Sequence, residues 1–103
     1  MSATGTFAPA KRREVGGSLR GRCEVNGSPR DCRVFNLTDE TGFVESFVPA
    51  VTGSKVLLRF QLPNGHEVST NGVVSHHEFK RGFEVVFTAI STADREQINS
   101  LVG

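Results

Sequence analysis

Hydrophobic and polar residues alternate along most of the chain from residue 18 onward, and clusters of turn-forming residues interrupt this alternation at short intervals. In the first segment, SLRGRCEV, the residues Leu19, Cys23 and Val25 share one face, and charged residues occupy the other. A period of two residues is typical of strands with one buried face. The pattern predicts six strands, at 18–25, 30–37, 42–47, 55–62, 67–79 and 83–90.

Residues that favour tight turns mark the connections between these strands. The sequence NGSP at 26–29 joins the first two strands, and Asn64-Gly65 is the strongest short-range hairpin signal in the chain. The long strand at 67–79 contains an isolated glycine, Gly72, which predicts a bulge at that point. The buried face of the last strand is predicted to consist of Phe83, Val85 and Phe87.

The register of the first hairpin can be predicted from charge. Pairing Cys23 with Cys32 would place Arg22 opposite Arg33, and like charges at directly opposed positions are unfavourable. A shift of two residues pairs Glu24 with Arg33 instead, and this is the register that we predict. It leaves the two cysteines diagonal to each other, which disfavours a disulfide and favours two small packed side chains.

The last segment, STADREQINSLVG, changes to helical spacing. Either Ser91 with Asp94 or Thr92 with Glu96 can supply the N-cap and an acidic residue in the first turn. The apolar stripe consists of Ile90, Ile98, Leu101 and Val102. Six short strands followed by one short helix predict a mainly all-β fold, namely a six-stranded antiparallel β-barrel with one short C-terminal α-helix.

The length and composition fit a single globular domain. The chain has 103 residues, of which 37% are hydrophobic and 22% are charged. We expect residues 1–10 to form a flexible tail and residues 11–103 to form the barrel domain. No signal peptide and no apolar run of about 20 residues is recognisable, so we expect a cytoplasmic protein without a membrane partner. The formal charge of +1 gives no general attraction for a nucleic acid polymer, so an anion site would be local.

The residues that carry chemistry form no recognisable catalytic or metal-binding pattern. His76 and His77 are adjacent, so they point to opposite faces of a strand, and His66 stands apart from them. The sequence lacks Cys-x-x-Cys, His-Glu-x-x-His, a nucleophile elbow and a phosphate-binding loop. We therefore expect a protein that is not an enzyme and that has no cofactor or metal site.

Three adjacent cations, Lys11, Arg12 and Arg13, precede the first strand. An arginine guanidinium binds phosphate through two charge-assisted hydrogen bonds, and it can also bind the edge of guanine. A segment with these residues could fold over a nucleotide on the barrel surface. Alternatively, the three cations are a solvated lead-in to the first strand.

The order of these pieces resembles the PilZ domain, a bacterial module that in many members binds cyclic di-GMP. The resemblance covers residues 11–102 and consists of an arginine-bearing lead-in, a first hairpin, a turn, a late strand and a short helix. The turn motif of the family is Asp/Asn-x-Ser-x-x-Gly, and the late strand has the form Gly-(Phe/Tyr)-x-x-x-(Val/Phe)-x-Phe. In this chain the turn is NLTDETG and the late strand is RGFEVVF.

In PilZ domains two arginines with the spacing Arg-x-x-x-Arg bind the guanines and phosphates of the ligand. Here Arg12 matches the first arginine, but Gly16 stands four residues later. Arg13 is likewise followed at that distance by Gly17. The resemblance therefore implies a degenerate arginine motif.

The turn motif departs from the family pattern by one residue. Asn36 matches the Asp/Asn position, and Thr38 has a hydroxyl where serine is usual. The glycine position is occupied by Thr41, and Gly42 follows it. An added residue would displace the backbone that approaches the ligand, unless a bulge absorbs it.

Two functions follow from the resemblance. In the first, the chain is a monomeric PilZ-type signalling module that acts through protein–protein interaction, with a partner in motility, pilus or envelope regulation. Its cyclic di-GMP site would be degenerate or weak. In the second, the chain is a genuine cyclic di-GMP receptor. The ligand-binding residues would then be Arg12, Arg13, Asn36, Thr38 and Gly42.

Overall fold

Six antiparallel strands form a closed barrel, which confirms the predicted fold class. A computed structural model of the chain describes residues 14–46 and 50–102, so the predicted tail at 1–10 lies outside the described residues. The order of strands around the barrel is β1-β2-β3-β6-β5-β4. The elements are β1 (Leu19–Val25), β2 (Ser28–Phe35), β3 (Thr41–Glu45), β4 (Lys55–Gln61), β5 (Glu67–Glu78), β6 (Gly82–Phe87) and the helix α1 (Thr92–Leu101).

The alternating pattern of each strand places one set of side chains inside the barrel. In β4 every second residue is buried, and the predicted inward face of β6 is confirmed. The rings of Phe60 and Phe87 stack in the interior with their centroids 6.3 Å apart. The largest fully buried side chains are Phe60, Phe83, Leu37, Leu58, Ile98, Val34, Val44, Val56, Val68, Val74 and Val85.

The register of the β1–β2 hairpin differs from both registers considered in the sequence analysis. Val25 pairs with Ser28, so the turn contains only Asn26 and Gly27. Both turn residues have positive φ, 53° and 84°, as a two-residue hairpin turn with the twist of the strands requires. The charge argument gave the wrong register because the geometry of this turn outweighs the repulsion between opposed arginines.

The bulge in β5 was predicted at the wrong position. The register between β5 and β6 shifts between Val74 and His76, so the additional residue is Ser75 and not Gly72. Gly72 has another role, because a Cβ atom there would lie 2.8 Å from the carbonyl oxygen of Val86. The glycine allows β5 and β6 to approach closely, and the regular pairing of the two strands continues through this position.

The helix α1 packs on the end of the barrel that carries the β2–β3 and β4–β5 connections. The Ser91 hydroxyl is the N-cap and accepts a hydrogen bond from the Asp94 amide at 3.0 Å, as one of the two predicted caps requires. Ile98 is fully buried against the core. His66 Nε2 lies 2.7 Å from Asp94 Oδ1, so the β4–β5 connection holds the first turn of the helix. The buried side chain of Ile98 and the polar contact of Asp94 thus both hold the helix on the barrel.

We predict that Ile98→Ala lowers the free energy of unfolding by about 2–5 kcal/mol, because it leaves a cavity between the helix and the barrel. Chemical denaturation followed by circular dichroism would measure the loss. Glu96→Ala changes an exposed position of the same helix and serves as the control. Equal stability of the two variants would show that the helix contributes little to the core.

Candidate functional site

The β2–β3 connection, which holds the turn motif, is organised around the hydroxyl of Thr38. Its Oγ1 accepts hydrogen bonds from the amides of Glu40 at 3.1 Å and Thr41 at 3.0 Å. It also lies 3.1 Å from the hydroxyl of Thr41, and Thr38 is only 4% exposed. A threonine that binds the backbone two and three residues ahead is a local turn device. The hydroxyl is therefore already used to shape the connection.

The other two turn residues face opposite environments. Asn36 is exposed and has a φ of 51°, a left-handed conformation that asparagine tolerates well. Gly42 is buried and faces the interior, where a Cβ atom would lie 3.1 Å from Val34 Cγ1 and 3.3 Å from Phe87 Cζ. Gly42 therefore makes room for the core. Of the three residues, Asn36 is the one that presents its side chain to solvent.

The segment that precedes β1 lies against this connection. The amide of Val15 donates a hydrogen bond to the carbonyl oxygen of Leu37 at 2.9 Å, and both side chains are buried. Gly16 and Gly17 follow on the surface, and no atom lies within 4 Å of a Cβ built at either position, although Gly17 has a φ of 74° that favours glycine. Arg12 and Arg13 lie outside the described residues, so their proposed contact with a ligand stays a prediction.

The structure contains a cavity of about 800 Å³ beside the β1–β2 hairpin, which the sequence analysis did not predict. It combines three arginines with two acidic residues and both cysteines of the chain. The register, which brings these residues together, could not be predicted from charge alone. The lining consists of Arg20, Gly21, Cys23, Arg30, Asp31, Cys32, Arg33, Glu45 and Ser46.

The two cysteines are free thiols in mutual contact within this cavity. Cys23 lies opposite Arg30 and Cys32 opposite Gly21, so the cysteines are diagonal, as predicted, although the register differs. A hydrogen bond from the Cys32 thiol lowers the pKa of Cys23; burial opposes this effect, and the charge of Arg30 adds to it. The same hydrogen bond raises the pKa of Cys32. Both side chains also pack with the core, as expected of small apolar residues.

The histidines have separate surroundings. His66 contacts Asp94 beneath the helix, whereas His76 Nε2 lies 3.7 Å from Glu78 Oε2 on the exposed surface of β5. Within residues 14–46 and 50–102, no group of three or more His, Cys, Asp or Glu side chains is arranged to hold a metal ion. In the same ranges, no helix is long and apolar enough to cross a membrane.

Comparisons of the chain with protein-family models, with curated proteins and with solved structures found no match. The resemblance to PilZ domains therefore rests on the motifs of the sequence. The barrel with one C-terminal helix confirms the predicted fold class and does not test the resemblance.

We predict that Thr38→Val destabilises the protein by about 1–3 kcal/mol, because the amides of Glu40 and Thr41 lose their shared acceptor. Thr38→Ser keeps the hydroxyl and is the matched control, with a smaller loss. Thermal or chemical unfolding in the absence of any ligand measures both. If Thr38→Val were as stable as the parent, the hydroxyl would be free for another role.

Proposed function

We propose that the chain is a PilZ-type signalling module that acts as a cytoplasmic adaptor, through contact with a partner protein and not through catalysis. The observation that carries this proposal is the orientation of the turn motif. The hydroxyl of Thr38 is used by its own turn, and the missing side chain of Gly42 serves the barrel core. The Thr38 hydroxyl and the Gly42 position thus both serve the folded structure, so little of either residue is available to contact a nucleotide.

The arginine motif supports the same proposal. The position four residues after Arg12 is Gly16, so one of the two ligand-binding arginines of the family pattern is missing. A hydrogen bond to a charged group contributes about 1.5–3 kcal/mol. The loss of one arginine therefore weakens binding by about ten- to several-hundred-fold, which moves a low-micromolar receptor toward millimolar affinity.

The partner would belong to the settings that are typical of PilZ domains, namely motility, pilus or envelope regulation. A monomer fits this role, because the helix α1 has only 10 residues and its buried residue packs against its own barrel. An adaptor of this kind would transmit a signal through the surface of a rigid barrel.

A second candidate is a cyclic di-GMP receptor with a variant site. The hydrogen bond between Val15 and Leu37 favours it, because it holds the lead-in segment beside the turn motif. Asn36 is also exposed at that turn. The ligand would then contact Arg12 and Arg13 together with Asn36.

The two functions are separated by an amide NMR titration with cyclic di-GMP. The adaptor proposal predicts no saturable shifts up to millimolar concentration, and co-purification of a partner that survives removal of all cyclic dinucleotide. Saturable shifts at Asn36, Thr38 and Gly42 would instead support the receptor. In that case Arg12→Ala combined with Arg13→Ala should abolish the shifts, and binding by the double variant would make this site assignment wrong.

We predict that Gly16→Arg raises the affinity for cyclic di-GMP by at least about tenfold, because it restores the arginine spacing of the family and adds charge-assisted hydrogen bonds. The position tolerates a side chain, since no atom lies within 4 Å of a Cβ built there. Isothermal titration calorimetry would measure the gain. Ser18→Arg adds the same charge two residues later and serves as the control. Equal affinities of the two variants would show that charge alone, and not the motif, is responsible.

A further inference from the structure

The barrel carries two pairs of directly opposed arginines on its outer surface. Arg20 of β1 lies opposite Arg33 of β2, and Arg22 of β1 lies opposite Arg59 of β4. All four residues are exposed. We refer to them as the arginine quartet. Because Arg20 and Arg22 are two residues apart on one strand, both pairs lie on the same face.

Contacts within the protein neutralise this charge only in part. Arg22 Nη1 lies 3.6 Å from Asp31 Oδ1, but the two side chains are 61% and 90% exposed, so this ion pair contributes little. Arg33 Nη1 donates a hydrogen bond to the neutral Ser18 hydroxyl at 3.3 Å. Among the described residues, Arg20 and Arg59 have no ion-pair partner. Like charges directly opposite each other destabilise a sheet, so the opposed arginines lower the stability of the free protein at this face.

The strands β3, β5 and β6 carry no lysine or arginine. Glutamates occupy outward positions of β3, β5 and β6, whereas the quartet occupies β1, β2 and β4. The formal charge of +1 for the whole chain therefore conceals a local basic face. Glu45 of β3 lies directly opposite Arg33 and borders the quartet, and the other outward glutamates are Glu67, Glu78 and Glu84.

The spacing of the quartet fits carboxylates at alternate positions of an extended peptide. The two guanidinium groups of an opposed pair can both donate to one carboxylate placed between them. Arg20 and Arg22, one from each pair, are about 6.6–6.8 Å apart along β1, and their partners Arg33 and Arg59 lie on opposite sides of that strand. Side chains at positions i and i+2 of an extended chain have this same separation and the same direction. Two acidic residues with one residue between them would thus engage both pairs.

We propose that the arginine quartet is a docking surface for an extended acidic segment of a partner protein, with Asp or Glu at alternate positions. This inference rests on the proposed adaptor function and names the chemistry of its partner. Asp31 and Glu24 interrupt the basic face, so it offers no continuous track for a phosphate backbone. The outward positions of β1 and β4 carry no aromatic side chain on which a base could stack, and Phe35 on the outward face of β2 is partly buried and lies opposite Phe43.

Fluorescence anisotropy at low ionic strength would test the surface with a labelled peptide of four Glu-Thr repeats. We expect saturable binding to the full chain, and a loss of at least about tenfold for Arg20→Gln combined with Arg59→Gln. Lys80→Gln combined with Arg81→Gln removes two positive charges at the β5–β6 turn, outside the quartet, and this variant should bind as the parent does. A peptide with the same four glutamates in one block should bind more weakly, because adjacent residues of an extended chain face opposite sides.

Loss of binding through unfolding is excluded by a second measurement. The double variant should be as stable as the parent or more stable in chemical denaturation, because it removes like-charge repulsion. Equal peptide binding by the parent and the double variant would overturn the proposal. Tighter quartet-dependent binding of a single-stranded oligonucleotide or of anionic lipid vesicles with equal charge would also overturn it. A partner that still co-purifies with the double variant would refute this docking surface and leave the adaptor function intact.

Discussion

The two-residue turn at Asn26 and Gly27 determines which residues of β1 and β2 face each other, and much of the surface chemistry follows from that register. Because the turn needs positive φ at both positions, it admits one pairing of the strands. That pairing sets Arg20 opposite Arg33, at a cost that the turn geometry outweighs. It also brings the two cysteines into diagonal contact beside Arg30. One local constraint thus creates a basic face on the outside and a thiol pair within.

The other end of the barrel is organised by the β2–β3 connection. Thr38 shapes it from within, and Asp39 accepts hydrogen bonds from Arg95 at 3.4 Å and from Asn99 at 3.1 Å. The lead-in segment binds the same connection through Leu37. The turn that resembles the ligand-binding motif of PilZ domains is therefore built into the packing of three elements. This is the physical reason for favouring contact between proteins over nucleotide binding.

Much of the fold could be predicted from the sequence, because the period of two residues in each strand and the Ser91 cap of the helix are local signals. The hairpin register and the bulge at Ser75 could not, since they depend on a balance between turn geometry, charge and interstrand packing. The site was predictable only in its residue types. The sequence identifies Thr38 and Gly42 as a hydroxyl and a glycine at motif positions, but their orientation becomes evident only in the folded barrel.

The lead-in segment and the helix attach to the barrel only two residues apart, at Leu37 and Asp39. The β2–β3 connection therefore holds the segment before β1 and the C-terminal helix at once. Local opening of this one connection would release both segments from the barrel, so they belong to one cooperative unit of the fold.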